Sequence, residues 1–149
     1  MMIKRFLIVL LCLLIAVSAA IADTVYVLCQ PDSFVYVRAF PVKGAEVAGY
    51  VDLGEALETD GAKKNGFIHV CGFEGGAWIN AGFVTEYPVT IFTGETEILS
   101  KGRVACRRSI NGTRRKWLKD GQKVTIYAFA EDWAVTNQGF IQTAYLGGF

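Results

Sequence analysis

A series of short hydrophobic segments occurs twice in this chain, in the same order both times. Val104-Ala105-Cys106-Arg107 corresponds to Val35-Tyr36-Val37-Arg38, and Trp117-Leu118-Lys119-Asp120-Gly121 to Tyr50-Val51-Asp52-Leu53-Gly54. Asp132-Trp133-Ala134-Val135 then matches Gly66-Phe67-Ile68-His69, and Gly139-Phe140-Ile141 matches Ala77-Trp78-Ile79. Ala144-Tyr145-Leu146 closes the series opposite Gly82-Phe83-Val84. The offset shrinks from 69 to 62 residues along the chain, so the second copy has the tighter loops. Self-similarity that preserves order implies two units of one architecture. Units of about 45–65 residues have marginal cores on their own, so packing of one on the other is expected to help.

The segments read as strands. Val25-Tyr26-Val27-Leu28 and Phe34-Val35-Tyr36-Val37-Arg38 are β-branched and aromatic runs separated by the turn cluster Gln30-Pro31-Asp32-Ser33. Asp60-Gly61 and Asn65-Gly66 flank a short polar loop, and Gly72 to Gly76 reads as a hairpin connection. No stretch after the first twenty-odd residues carries a helical apolar stripe of useful length. Short alternating strands between Gly-, Asn- and Asp-containing turns predict an all-β chain whose sheets close, or nearly close, to remove exposed edges. Trp78, Trp117 and Trp133 are large enough to fill such small cores.

The N-terminus has the form of a signal peptide. Lys4 and Arg5 precede an uninterrupted apolar run from Phe6 to Val17, and Ala20-Ile21-Ala22 offers a small-residue cleavage site. The run is shorter than the roughly 20 residues that span a bilayer, which favours cleavage over an uncleaved anchor. The expected divisions are a signal peptide at 1–22, a first module at 23–88, a linker at 89–101 and a second module at 102–149. Val89-Thr90-Ile91-Phe92 inside the linker is itself β-rich. No other stretch is apolar enough for a transmembrane segment in the mature chain, so the expected location is secreted or cell-wall associated.

The repeated pieces resemble the bacterial SH3-like repeat. The resemblance lies in Val35 to Arg38, Val51 to Gly54, Gly66 to Val70, Trp78-Ile79 and Gly82-Phe83-Val84. It recurs in Ala105 to Arg107, Leu118 to Gly121, Asp132 to Val135, Gly139-Phe140-Ile141 and Tyr145-Leu146. It covers nearly all of the mature chain. Phe67 and Phe140 stand where Trp is usual, and Asp132-Trp133 is an acidic-aromatic pair outside the pattern, so a ligand site does not transfer residue by residue. The resemblance implies two small SH3-like β-barrels in tandem that recognise cell-wall peptidoglycan or its peptide cross-bridges through an aromatic and polar groove. Tyr36, Tyr50, Trp78 and Trp117 are candidates for that groove.

Charge divides unevenly. Residues 24–89 carry a net −4 and residues 90–149 a net +4. The excess is concentrated at Arg103, Arg107, Arg108, Arg114, Arg115, Lys116 and Lys119, around the turn signal Asn111-Gly112. Arg114 and Arg115 are therefore candidate anion-binding residues, set against a plain solvated loop. Oppositely charged halves also suit an extracellular protein–protein adaptor. Nucleic acid is an electrostatic option that an exported protein rarely meets.

Three cysteines remain after residue 22, and export permits a disulfide. Cys29 and Cys71 share a unit and are the expected pair; Cys106, inside an apolar-alternating strand, reads as a small buried hydrophobe. His69 and Cys71 lie on one face of a strand, but a catalytic pair normally converges from separate elements with a third group orienting the base. Cys29, His69, Cys71 and Cys106 lack the paired spacing of a zinc site. The sequence thus points to a non-catalytic binder with no metal and no cofactor, whose partner is a cell-wall polymer or an extracellular protein.

Overall fold

Hydrophobic residues at alternate positions turn every second side chain inward. In β2 (Phe34–Arg38) Val35 and Val37 are buried while Phe34 and Tyr36 face outward. In β11 (Lys123–Phe129) Val124, Ile126 and Ala128 are buried in the same rhythm. The computed structural model describes residues 22–148, where regular structure is β-strand apart from two single turns of 3-10 helix. The expected signal peptide at 1–22 lies, but for Ala22, outside the described residues. Among the described residues no helix is long and apolar enough to cross a membrane.

Two antiparallel sheets form. The first contains β1 (Asp23–Val27), β2, β3 (Val47–Asp52), β4 (Ala56–Lys64), β5 (Phe67–Val70), β6 (Ala77–Asn80) and β7 (Val84–Thr85). Its order is β3-β2-β6-β5-β4-β1-β7. The second contains β8 (Thr90–Glu97), β9 (Val104–Arg107), β10 (Arg114–Leu118), β11, β12 (Trp133–Thr136) and β13 (Gly139–Gln142). Its order is β10-β9-β13-β12-β11-β8, which is the first order without β7 and with every label advanced by seven. The repeat in sequence is therefore a repeat in topology. Even β7 has a counterpart: Val27 pairs with Val84 in the first unit, and Ile98 bridges Leu146 in the second. Gly54 and Gly121 recur with φ +85° and +75°. Their N–H groups donate to the carbonyls of Val27 at 2.8 Å and Ile98 at 2.7 Å. Glycine takes that left-handed turn without steric cost.

Several expectations need correction. The supposed linker at 89–101 carries β8, the strand that pairs along β11. The β-rich Val89-Thr90-Ile91-Phe92 opens this strand, which runs on through polar residues, and within Thr90–Glu97 only Thr96 is buried. The polar loop after Asp60 is a bulge within β4: Thr59 opposes Val70 and Lys63 opposes Ile68, with surplus residues looped out between. Neither sheet closes into a barrel. β6 and β7 are joined by one short turn (Ala81–Phe83) yet lie far apart in the sheet order, so the sheet curls without its edges bonding. The edge strand β10 carries Arg114, Arg115 and Lys116, charges that protect an open edge from pairing.

Each unit has its own core. Val27, Val37, Val70 and Ile79 fill the first, and Ile98, Leu118, Ile126 and Ile141 the second. Of the three tryptophans only Trp133 is buried, and it lies in neither of these cores. It belongs to a third cluster with Leu28, Val135 and Phe140, flanked by Leu53 and Phe83 from the first unit and Ile110 from the second. Phe83 meets Phe140 edge-on with centroids 6.0 Å apart. The Ile110 N–H donates to the Gly82 carbonyl at 2.8 Å, and the Gln30 side-chain amide donates to the Thr136 carbonyl at 3.1 Å. The two units are thus joined by an apolar seam with polar ties.

Candidate functional site

Strand register decides which side chains share a face, because residues directly opposite in a pair project the same way. Tyr36 lies opposite Tyr50, Arg38 opposite Trp78, and Trp78 opposite His69. Three sequence candidates, Tyr36, Tyr50 and Trp78, therefore stand on one outer face of the first sheet. Phe34 joins them, with its ring centroid 5.1 Å from Tyr36 and 5.5 Å from Tyr50. Tyr50 is 66% exposed, Phe34 48% and Tyr36 45%, so this is an open aromatic platform. Trp78 is half-buried and packs on His69, centroids 5.0 Å apart.

The platform runs into a cleft of ≈ 560 Å³ between the units. Phe34, Tyr36, Phe67 and Asn80 line it from the first sheet, and Phe140 from the second. Arg38, Lys43, Arg107, Arg108 and Arg115 also line it, with no carboxylate among the lining residues. Among the described residues none of these cations has an ion-pair partner, and the one ion pair joins His69 and Asp60. Arg38 and Arg107 occupy equivalent positions in the repeat, one opposite Trp78 and the other opposite Phe140. Each is anchored by its own hairpin: Arg38 Nη1 donates to the Ala45 carbonyl at 2.7 Å, and Arg107 Nη1 to the Gly112 carbonyl at 2.9 Å. Their remaining N–H donors are held in place and unoccupied by protein carboxylates. Such a surface favours an anion.

Of the two candidate arginines, Arg115 lines the cleft while Arg114 does not. Arg114 lies over the Trp117 ring, 4.4 Å from its centroid, and Trp117 is 45% exposed on the edge strand β10. That pair stands apart from the aromatic platform. Sequence reading passed over Phe34 and Arg38, although alternation along β2 places both on the face of Tyr36. Lys43, Arg107 and Arg108 reach the cleft only through the docking of the units, which no local pattern encodes. A second cleft of ≈ 760 Å³ has the opposite character, lined by Asp23, Glu86 and Asp132 with Lys63.

His69 has a partner that the sequence did not suggest. Its Nδ1 lies 2.9 Å from Asp60 Oδ2, brought there by the bulge in β4. The Ala62 N–H, and after it His69, hold the Asp60 carboxyl below its usual range. Among the described residues no group of three or more His, Cys, Asp or Glu is placed to hold a metal ion.

The expected Cys29–Cys71 disulfide is not formed; both are free thiols. Register explains the separation. The Cys71 N–H donates to the Glu58 carbonyl, and Glu58 lies opposite Thr24 in β1, whereas Cys29 lies beyond the end of β1 at Val27. Cys71 follows β5 and Cys29 follows β1, and β4 lies between those strands. Two strand spacings are about 10 Å, beyond the roughly 7 Å Cα separation that a disulfide tolerates. Burial first, then the Asp52 charge, raises the Cys29 thiol to about 11. Burial likewise raises Cys106, opposed in part by Lys116 and Arg115. Alkylation of the native protein near pH 8 is therefore expected to label half-exposed Cys71, with Cys29 and Cys106 reacting only in denaturant. Mass mapping of the adducts checks this, and protection of Cys71 until a reductant is added would restore the disulfide.

No family model and no curated protein matches the sequence. Among solved structures, NlpC1 from Trichomonas vaginalis is similar at 18% identity and a TM-score of 0.40, over 90% of this chain and 48% of that one. NlpC2 from the same organism is similar at 16% identity and a TM-score of 0.40, over 89% of this chain and 50% of that one. The chain spans about half the length of each of these structures.

Proposed function

We propose that this chain is an exported, non-catalytic binding protein of two SH3-like modules, secreted or held at the cell wall. Its ligand is cell-wall peptidoglycan or the peptide cross-bridges of that polymer, seated in the cleft between the modules. One observation carries the reading: five cations and exposed rings converge on a cleft whose lining has no carboxylate. Wall peptides bear free carboxylates, which guanidinium groups hold through charge-assisted hydrogen bonds. Co-sedimentation of the mature chain with purified cell walls is the test. The chain is expected to pellet at low salt and to be released as salt shortens the screening length. A chain left wholly in the supernatant overturns the reading.

The carboxylate-lined second cleft favours a second reading, an extracellular adaptor that joins oppositely charged surfaces of different chains. Sedimentation velocity then shows association that weakens with salt. A monomer indifferent to salt counts against it.

A further inference from the structure

We infer that the cationic cleft and the aromatic platform beside it form one site for an acidic glycan, a saccharide strand bearing anionic groups. The inference rests on the reading above only in taking the cleft as the ligand's seat, and it assigns that seat a charged sugar in place of a wall peptide. Phe34, Tyr36 and Tyr50 form a continuous exposed apolar surface, and contiguous exposure of large rings marks a contact surface. The rings are not parallel: Phe34 meets Tyr36 at 81° and Tyr50 at 53°. A base stacks flat on one exposed ring face, and here neighbouring rings stand edge-on or tilted to one another. Mixed ring edges and faces suit instead the uneven C–H surface of a pyranose, whose partial positive charge meets the negative faces of the rings. A polyanionic peptide of aspartate or glutamate offers no such surface.

Arg38 connects platform to cleft. Its guanidinium lies over Tyr36, 5.3 Å from the centroid, while its tie to Ala45 fixes its direction. Arg107 is fixed the same way across the cleft by Gly112. Donors held before the ligand arrives lose little freedom on binding. Rings alone would accept a neutral sugar, and cations alone any polyanion. Their adjacency selects a ligand that has both properties, whether the charge is a uronate carboxylate or a sulfate ester.

Isothermal titration of the mature chain with soluble probes of matched length tests the assignment. The probes are an oligogalacturonate, a heparin oligosaccharide, a neutral chito-oligosaccharide, polyglutamate and oligo-dT. At least one acidic glycan is expected to bind about tenfold or more tighter than the last three, and the better of the two identifies the charged group. Equal or tighter binding of the neutral sugar, polyglutamate or oligo-dT overturns the inference. Tyr50→Ala is expected to weaken glycan binding about fivefold, with Tyr50→Trp restoring it. Arg115→Ala, at an exposed position, is expected to weaken it about tenfold. Unchanged affinity in both variants, each with the parent's melting temperature, places the ligand elsewhere and overturns the inference. Chain that pellets with walls yet binds neither acidic glycan leaves the wall-binding reading intact and overturns this one. Glycan binding without pelleting does the reverse.

Discussion

Trp133→Ala is expected to cost about 3–5 kcal/mol, the range for emptying a fully packed aromatic site. Trp133 is 3% exposed in the seam that joins the units, where it shares a cluster with Leu28 from the other half. The loss therefore falls on both sheets at once. Urea denaturation followed by far-ultraviolet circular dichroism is expected to give one transition for the parent chain. The variant is expected to unfold at lower urea and in separate steps, because each small sheet then relies on its own core. A loss under about 1 kcal/mol with one transition retained would mean that the seam is not a shared core.

Gly139→Ala has the second large expected effect. Gly139 has φ +135°, and a Cβ there would sit 2.7 Å from the Arg107 carbonyl oxygen and 2.8 Å from Cys106 Sγ. The strained backbone contributes about 1–3 kcal/mol, and forcing apart a close-packed pair of strands about 1–3 kcal/mol more. β13 meets β9 at the pair Phe140–Arg107, so the strain acts on an arginine of the cleft as well as on the fold. Gly44→Ala is the comparison, since Gly44 has φ +85° but no atom within 4 Å of the added Cβ. Thermal melts are expected to show a small loss at Gly44 and a much larger one at Gly139. Equal losses would assign the effect to backbone conformation alone.

The reach of sequence reasoning followed the range of the interactions. Strands such as Phe34–Arg38 were legible because alternation is a local signal, and the same alternation put Tyr36 and Tyr50 outward. The turns at Gly54 and Gly121 were legible as the matching ends of repeated segments. The start of β8 was legible in Val89-Thr90-Ile91-Phe92, but Thr93, Gly94, Glu95 and Glu97 interrupt the rhythm, so its full length and its pairing with β11 were not. The Asp60–His69 pair escaped because a bulge, rather than regular spacing, brings the two together. Trp78 and Trp117 read equally well as core or surface; neither is buried, since Val and Ile residues fill both cores. The cleft was the least legible feature. Arg38 and Arg115 converge only after two folded units dock, and docking depends on scattered positions such as Leu28, Phe83 and Phe140.

The seam also sets how many outer faces the two repeats keep open. In the first unit, His69 and Trp78 stand opposite each other on the outer face; their repeat counterparts in the second are Val135 and Phe140. Those counterparts are buried against the first unit. One copy of the repeated surface is the bed on which its neighbour rests, and the other is open. Two repeats then leave one such face open rather than two. On the proposed wall-binding reading the chain is monovalent, and the repeat adds no avidity.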